Sequence, residues 1–369
     1  MKKILLGTTA VVALGTMTTE AFAADKIALG LGGFMRHYVG LSNNDEVATT
    51  SNSARDKDIG QFSNTEIYFT GSTTLDNGLK VAVRHEYEAD GAANQNADKN
   101  WLSIGSDAMG TVTIGSATHF ADDNKVRVPN AGNFDWTDTD PWAGVSTASA
   151  NDSTVFTPSS LDISDNGGDS VKLKYNSPSF SGVTVGVSYT AAETGSAHNA
   201  RRVTENSQGV TTGISQDGYS FGAAYSGEMS GAAIGVSLTH QNTADSVESN
   251  HVGASVGMSG FTVGGGYSDF SDTRIGRSDN DGKSWELGVS YETGPVSVSA
   301  GYMNADNKGL AATAGSNEDT KWNVSATYDL GAGVALTGTY FNSEANGEGA
   351  GATTKTSVSG VIAGIEVGF

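Results

Sequence analysis

Over 369 residues the chain carries 21 Lys and Arg against 41 Asp and Glu, a formal charge of −20, and it has no cysteine. That acidity disfavours nucleic-acid binding, which needs a basic surface, and the missing thiols exclude disulfides, thiolate metal sites and cysteine nucleophiles. Hydrophobic residues make up 37%, below the roughly 45–50% of soluble globular domains even allowing for the glycine omitted from this count, so a dry core of ordinary size is not expected.

The chain opens with Lys2 and Lys3, an apolar run from Ile4 to Leu14, and Ala21-Phe22-Ala23, the pattern of a cleavable export signal over residues 1–23. The run is shorter than the about 20 residues a spanning helix needs. Cleavage before Ala24 removes Lys2, Lys3 and Glu20 and leaves 19 basic against 40 acidic residues, a net charge of −21, on one domain over 24–369.

Downstream, one heptapeptide design recurs: apolar or small residues at positions one, three and five, and tyrosine at seven. It begins at Val81, Val183, Tyr219, Phe261, Trp285, Val296, Trp322 and Val334. Period-two alternation places apolar residues on one face of a strand and Ser, Thr, Gly, Asn, Glu and Lys on the other. Tyr or Trp so often at the ends of the apolar face suits a membrane barrel, with rings at the two headgroup levels; Trp285 and Tyr291 then mark opposite interfaces. In chain order the pattern predicts sixteen strands near 26–38, 61–74, 79–88, 101–106, 111–117, 170–176, 183–190, 217–226, 232–240, 250–258, 261–269, 284–292, 296–303, 320–328, 334–342 and 357–369. Connections alternate short and long, the asymmetry of outer-membrane barrels. An even strand count puts both termini on the side of the short turns and lets the sheet close without an open edge.

The last strand, Val361-Ile362-Ala363-Gly364-Ile365-Glu366-Val367-Gly368-Phe369, alternates to a terminal aromatic. With the phrases Leu75-Asp76-Asn77-Gly78-Leu79-Lys80, Gly110-Thr111-Val112-Thr113-Ile114-Gly115 and Tyr175-Asn176-Ser177-Pro178-Ser179-Phe180-Ser181-Gly182, it resembles the Gram-negative general-diffusion porin family from end to end of the mature chain. The resemblance implies an all-β, sixteen-stranded transmembrane barrel in the outer membrane, passing small hydrophilic solutes and ions passively. It also implies a homotrimer, contact with outer-membrane lipid and lipopolysaccharide, and a Phe369 signal read by the barrel-assembly machinery.

The segment from Ala117 to Asp169 is too long for a structureless connection in a compact domain. By the same resemblance it is the third extracellular loop, folded inward to narrow the pore. Its acidic side is expected at Asp122, Asp123, Asp135, Asp138 and Asp140. Strand parity turns Arg36, Arg84, Lys172 and Lys174 toward the lumen as a facing basic wall, which sets a transverse field across the constriction. Other motifs are weak. Asp162 and Asp165 partly echo a calcium loop without its alternating ligands, so a solvated turn is favoured over a calcium site, and no cofactor is expected. The six histidines lack metal-like spacing, and no catalytic set stands out. The chain therefore reads as a channel rather than an enzyme. The alternatives are a substrate-selective channel for sugar or phosphate, an outer-membrane hydrolase, and a secreted β-repeat adhesin. The first would need a track of aromatics or several arginines on the lumen face, whereas parity sends most tyrosines to the lipid face.

Overall fold

The computed structural model describes residues 25–46, 59–90, 97–132, 171–190, 217–242, 247–272, 281–308, 316–349 and 352–369. The strands are β1 (Gly30–Glu46), β2 (Ile59–Thr74), β3 (Lys80–Glu88), β4 (Ala97–Ser106), β5 (Gly110–Ser116), β6 (Val171–Asn176), β7 (Val183–Thr190) and β8 (Gly218–Met229), then β9 (Ala232–Asn242), β10 (Val247–Met258), β11 (Phe261–Asp272), β12 (Gly282–Thr293), β13 (Val296–Lys308), β14 (Ser316–Gly331), β15 (Val334–Gly349) and β16 (Ala352–Gly368). One short helix, α1 (Phe120–Asn124), follows β5. Every strand pairs antiparallel with its sequence neighbours, and β1 pairs with β16, so the sheet closes and no edge remains.

Alternation decides which side of the wall each residue takes. Along β12, Trp285, Leu287 and Val289 point out and are exposed, while Ser284, Glu286 and Ser290 point in and are buried. Among the described residues the outward face exposes a long series of Leu, Val, Ile, Phe, Met, Tyr and Trp side chains, as a hydrocarbon surround requires. Rings gather at the two ends of this band. Trp285 lies 5.1 Å from Tyr302 and Trp322 5.3 Å from Tyr340 at the long-connection end, and Phe261 lies 4.4 Å from Tyr291 at the short-turn end. Two-residue turns at the latter end use paired left-handed positions, Ser230-Gly231 and Ser259-Gly260, with φ of 52° and 83°, and 55° and 85°; this backbone twist matches the twist of the flanking strands.

Several strands run further than alternation predicts, chiefly at the long-connection end. β1 extends to Glu46 instead of 38, β15 to Gly349 instead of 342, and β16 starts at Ala352 instead of 357. Ladder bonds persist there through polar stretches such as Ser42-Asn43-Asn44-Asp45-Glu46. Beyond the apolar band neither face must be hydrophobic, so the period-two signal stops before the strand does. The export signal expected over 1–23 lies outside the described residues.

Candidate functional site in the lumen

The segment after β5 turns into the barrel, and two inward lysines of β6 hold its root. Lys172 Nζ donates to the carbonyl of Ala117, and Lys174 Nζ donates to Thr118 O at 2.8 Å and to the Asp123 carboxylate. His119 caps α1, its Nδ1 accepting from Asp122 N at 3.4 Å, while the Asp122 carboxylate meets Lys125 Nζ at 3.1 Å. Lys172 is 3% exposed. Both lysines take the inward side that parity predicts. Neither stands as a bare basic wall beside open water, because strand parity fixes direction but not what lies on top.

From α1 to Gly132 the chain runs along the inner wall without a strand partner of its own, so its amide groups need side-chain partners. The wall supplies them in strand order. Phe120 N donates to Ser188 Oγ of β7 at 2.6 Å, Ala121 N to Ser220 Oγ of β8 at 3.3 Å, and Val126 N to Ser237 Oγ of β9 at 2.8 Å. His251 Nε2 of β10 lies 3.1 Å from Val126 O, and since a carbonyl only accepts, that nitrogen carries the proton. Val128 N donates to Glu286 Oε1 of β12 and Ala131 N to Ser299 Oγ of β13, both at 2.8 Å, and Thr327 Oγ1 of β14 donates to Ala131 O. Wall glycines make room for the segment: a Cβ at Gly186 would strike the Phe120 ring at 2.3 Å, and one at Gly253 would lie 2.0 Å from Val126 O. Val128 packs on the buried Met303 and Ala305, an apolar contact between the segment and the inner wall.

This seat covers inner faces from β6 to β14. On β16 and β1 to β4 a different set of side chains faces the lumen. The Arg36 guanidinium lies on the Phe34 ring at 3.9 Å, and that of Arg84 on Tyr68 at 4.1 Å. Phe34 and Tyr68 meet edge to face at 6.1 Å. Arg84 Nε donates to Glu86, whose other oxygen lies 3.2 Å from Lys99 Nζ; Lys99 also reaches Asp98 at 3.3 Å. Tyr68 OH donates to Glu66 Oε2 at 2.7 Å, and Tyr38 OH to Glu366 Oε1 at 3.1 Å. The carboxylate oxygens of Glu66, Glu86 and Asp98 come within 4.8 Å of one another, and Arg84 and Lys99 already offset their charge. Arg36, Arg84 and Lys99 thus face Glu66, Glu86, Asp98 and Glu366, a mixed and slightly acidic wall.

Of the expected constriction residues, Arg36 and Arg84 sit on this wall, Lys172, Lys174, Asp122 and Asp123 sit at the root of the inward segment, and Asp135, Asp138 and Asp140 lie outside the described residues, as do Asp162 and Asp165. Lys99 and Asp98 escaped sequence reasoning because the predicted fourth strand begins at 101, whereas β4 begins at Ala97; the register shift between His85 and Tyr87 then sets Asp98 beside Lys99 opposite Glu86. On β1, β2 and β4 the inward aromatics Phe34, Tyr38, Tyr68 and Trp101 were hidden among the larger number of outward rings.

A search of curated proteins finds no match. Among solved structures the fold is similar to Salmonella typhi OmpF in complex with daunomycin (16% identity, 92% of this chain and 97% of that one, TM-score 0.60) and to an anion-selective porin from Comamonas acidovorans (16%, 93% and 100%, 0.57). It is also similar to the trimer form of OmpT, an outer membrane protein of Vibrio cholerae (10%, 94% and 100%, 0.61). At these identities the likeness speaks for the fold alone. Residues 7–348 match the family model described as Gram-negative porin, and with the closed sixteen-strand barrel and its inward segment, the chain belongs to that family.

Proposed function

We propose that this outer-membrane porin is a passive, water-filled path for small hydrophilic solutes and ions that prefers cations and performs no chemistry on what it passes. The observation that carries the preference is charge placement: the inward cations Lys174, Arg84 and Lys99 are each matched by a carboxylate, and Lys172, which donates to a carbonyl, and Arg36 are outweighed by the net acidity of the chain, which acts on passing ions. Charges at the mouths are screened over about 8–10 Å at ordinary ionic strength, and buried ones less.

Three further readings belong with it. Residues 1–23 are a cleaved export signal, and Phe369 is the residue the assembly machinery reads. The outward band contacts lipid and lipopolysaccharide over most of the barrel. The functional unit is a homotrimer meeting through β16 and β1 to β5. In its favour, His37 and Asn100 point outward and are exposed on β1 and β4, and His85 points outward on β3, where hydrocarbon would disfavour them.

Reversal potential across a planar bilayer under a salt gradient tests the proposal. The expected sign is that of a cation-preferring pore, stronger in dilute salt, with the preference reduced in Glu86→Gln. An anion-preferring wild type would refute it.

A further inference from the structure

On the lumen wall of β16, β1 and β2, aromatic rings and charges of both signs share one patch. Phe34, Arg36 and Tyr38 alternate along β1, Glu66 and Tyr68 lie on β2, and Glu366 on β16 is the cross-strand partner of Arg36. The Arg36 guanidinium carbon lies 3.9 Å from the centre of the Phe34 ring, and its planar group carries a fork of N–H donors that suits a carboxylate. Arg84 is arranged in the same way on Tyr68 but has given a donor to Glu86. Arg36 makes no ion pair within 4.0 Å among the described residues and is half-buried, so among those residues its fork is free to meet a solute. Glu366 stands across the ladder, and Glu66 stands opposite Phe34. The rings of Phe34 and Tyr68 remain partly exposed in their edge-to-face pair.

We infer that this patch is a recognition site for small zwitterions with a flat side chain, the aromatic α-amino acids being the simplest class. The solute carboxylate takes the Arg36 fork in two parallel hydrogen bonds. Its ammonium faces Glu366 or Glu66. Its ring completes an aromatic cluster with Phe34 and Tyr68, where ring geometry adds to simple burial. A zwitterion carries no net charge, so the acidity that rejects simple anions does not reject it. A free inorganic anion gains the fork but neither the carboxylates nor the rings. The inference rests on the chain being an open pore, and it names a solute class for which that pore is not indifferent.

The test is single-channel recording in potassium chloride with L-phenylalanine added, compared with L-3-cyclohexylalanine, which has the same charges and nearly the same size but no flat ring. Phenylalanine should interrupt the current at concentrations about three-fold lower than cyclohexylalanine, the margin expected of one aromatic contact. Phe34→Leu should erase that margin. Arg36→Lys, which keeps the charge and loses the fork, should weaken both solutes. Heat-modifiable migration on SDS gels verifies that each variant is a folded barrel, and if Phe34→Leu does not fold, Phe34→Met serves in its place. Equal interruption by the two solutes in the wild type overturns the inference while leaving the pore intact, as does a margin that survives both substitutions. A wild type that conducts no current overturns the pore itself and the inference with it.

Discussion

Gly253→Ala separates the seat of the inward segment from the barrel that carries it. A Cβ at this position would lie 2.0 Å from Val126 O, 2.8 Å from His251 Nε2 and 2.9 Å from Val126 C, its three nearest atoms. The nearest obstruction is therefore the backbone of the segment together with the His251 side chain of β10 that bonds it. Ordinary van der Waals contact begins near 3.4 Å, so the segment must retreat from the wall by about 1.4 Å. Such a shift stretches Val126 N to Ser237 Oγ and Val126 O to His251 Nε2 beyond hydrogen-bonding range. Each bond contributes about 1 kcal/mol net, and a loss of about 2 kcal/mol changes the population of detached segment roughly 30-fold. Single-channel recording should show a lower mean current with added noise, since the displaced segment moves into the water path and fluctuates. Heat-modifiable migration should match the wild type. Gly338→Ala is the control, because its Cβ meets only Ile362 O, at 3.7 Å. Wild-type current and noise in Gly253→Ala would refute the account of the seat.

Replacing Lys172 and Lys174 together by Gln keeps donors for the Ala117 and Thr118 carbonyls but strips Asp123 of its counter-charge, so cation preference should rise in both dilute and concentrated salt, read from the reversal potential; no change would mean that Asp123 is electrically remote from the path. Phe369→Ala removes a ring that the backbone holds in place, Gly33 N donating to Phe369 O at 2.9 Å and Phe369 N to Gly33 O at 3.1 Å. Because those two bonds survive the change, outer-membrane levels should fall while the protein refolded in detergent keeps its thermal stability, and normal membrane levels would exclude an assembly role for the side chain.

Sixteen strands, their order and the side each residue takes were legible in the chain itself, because hydrocarbon outside and water inside impose a period of two wherever the wall crosses the apolar band. The long connection after β5 was legible as an inward loop by its length, its place and its family likeness. Tertiary structure alone decided what that loop covers. Lys172 and Lys174 read as lumen cations from parity, and they are, yet the segment lying over them turns them into anchors for its backbone. The serines of β7, β8, β9 and β13 look like any polar strand face until an unpaired stretch of chain needs their hydroxyls. Strand ends beyond the apolar band, among them the start of β4 that brings Lys99 to Glu86, and the β3–β4 bulge were hidden for a related reason. Alternation reports the direction of a side chain along an ideal strand, and it carries no record of register shifts or of contacts made across the width of a barrel.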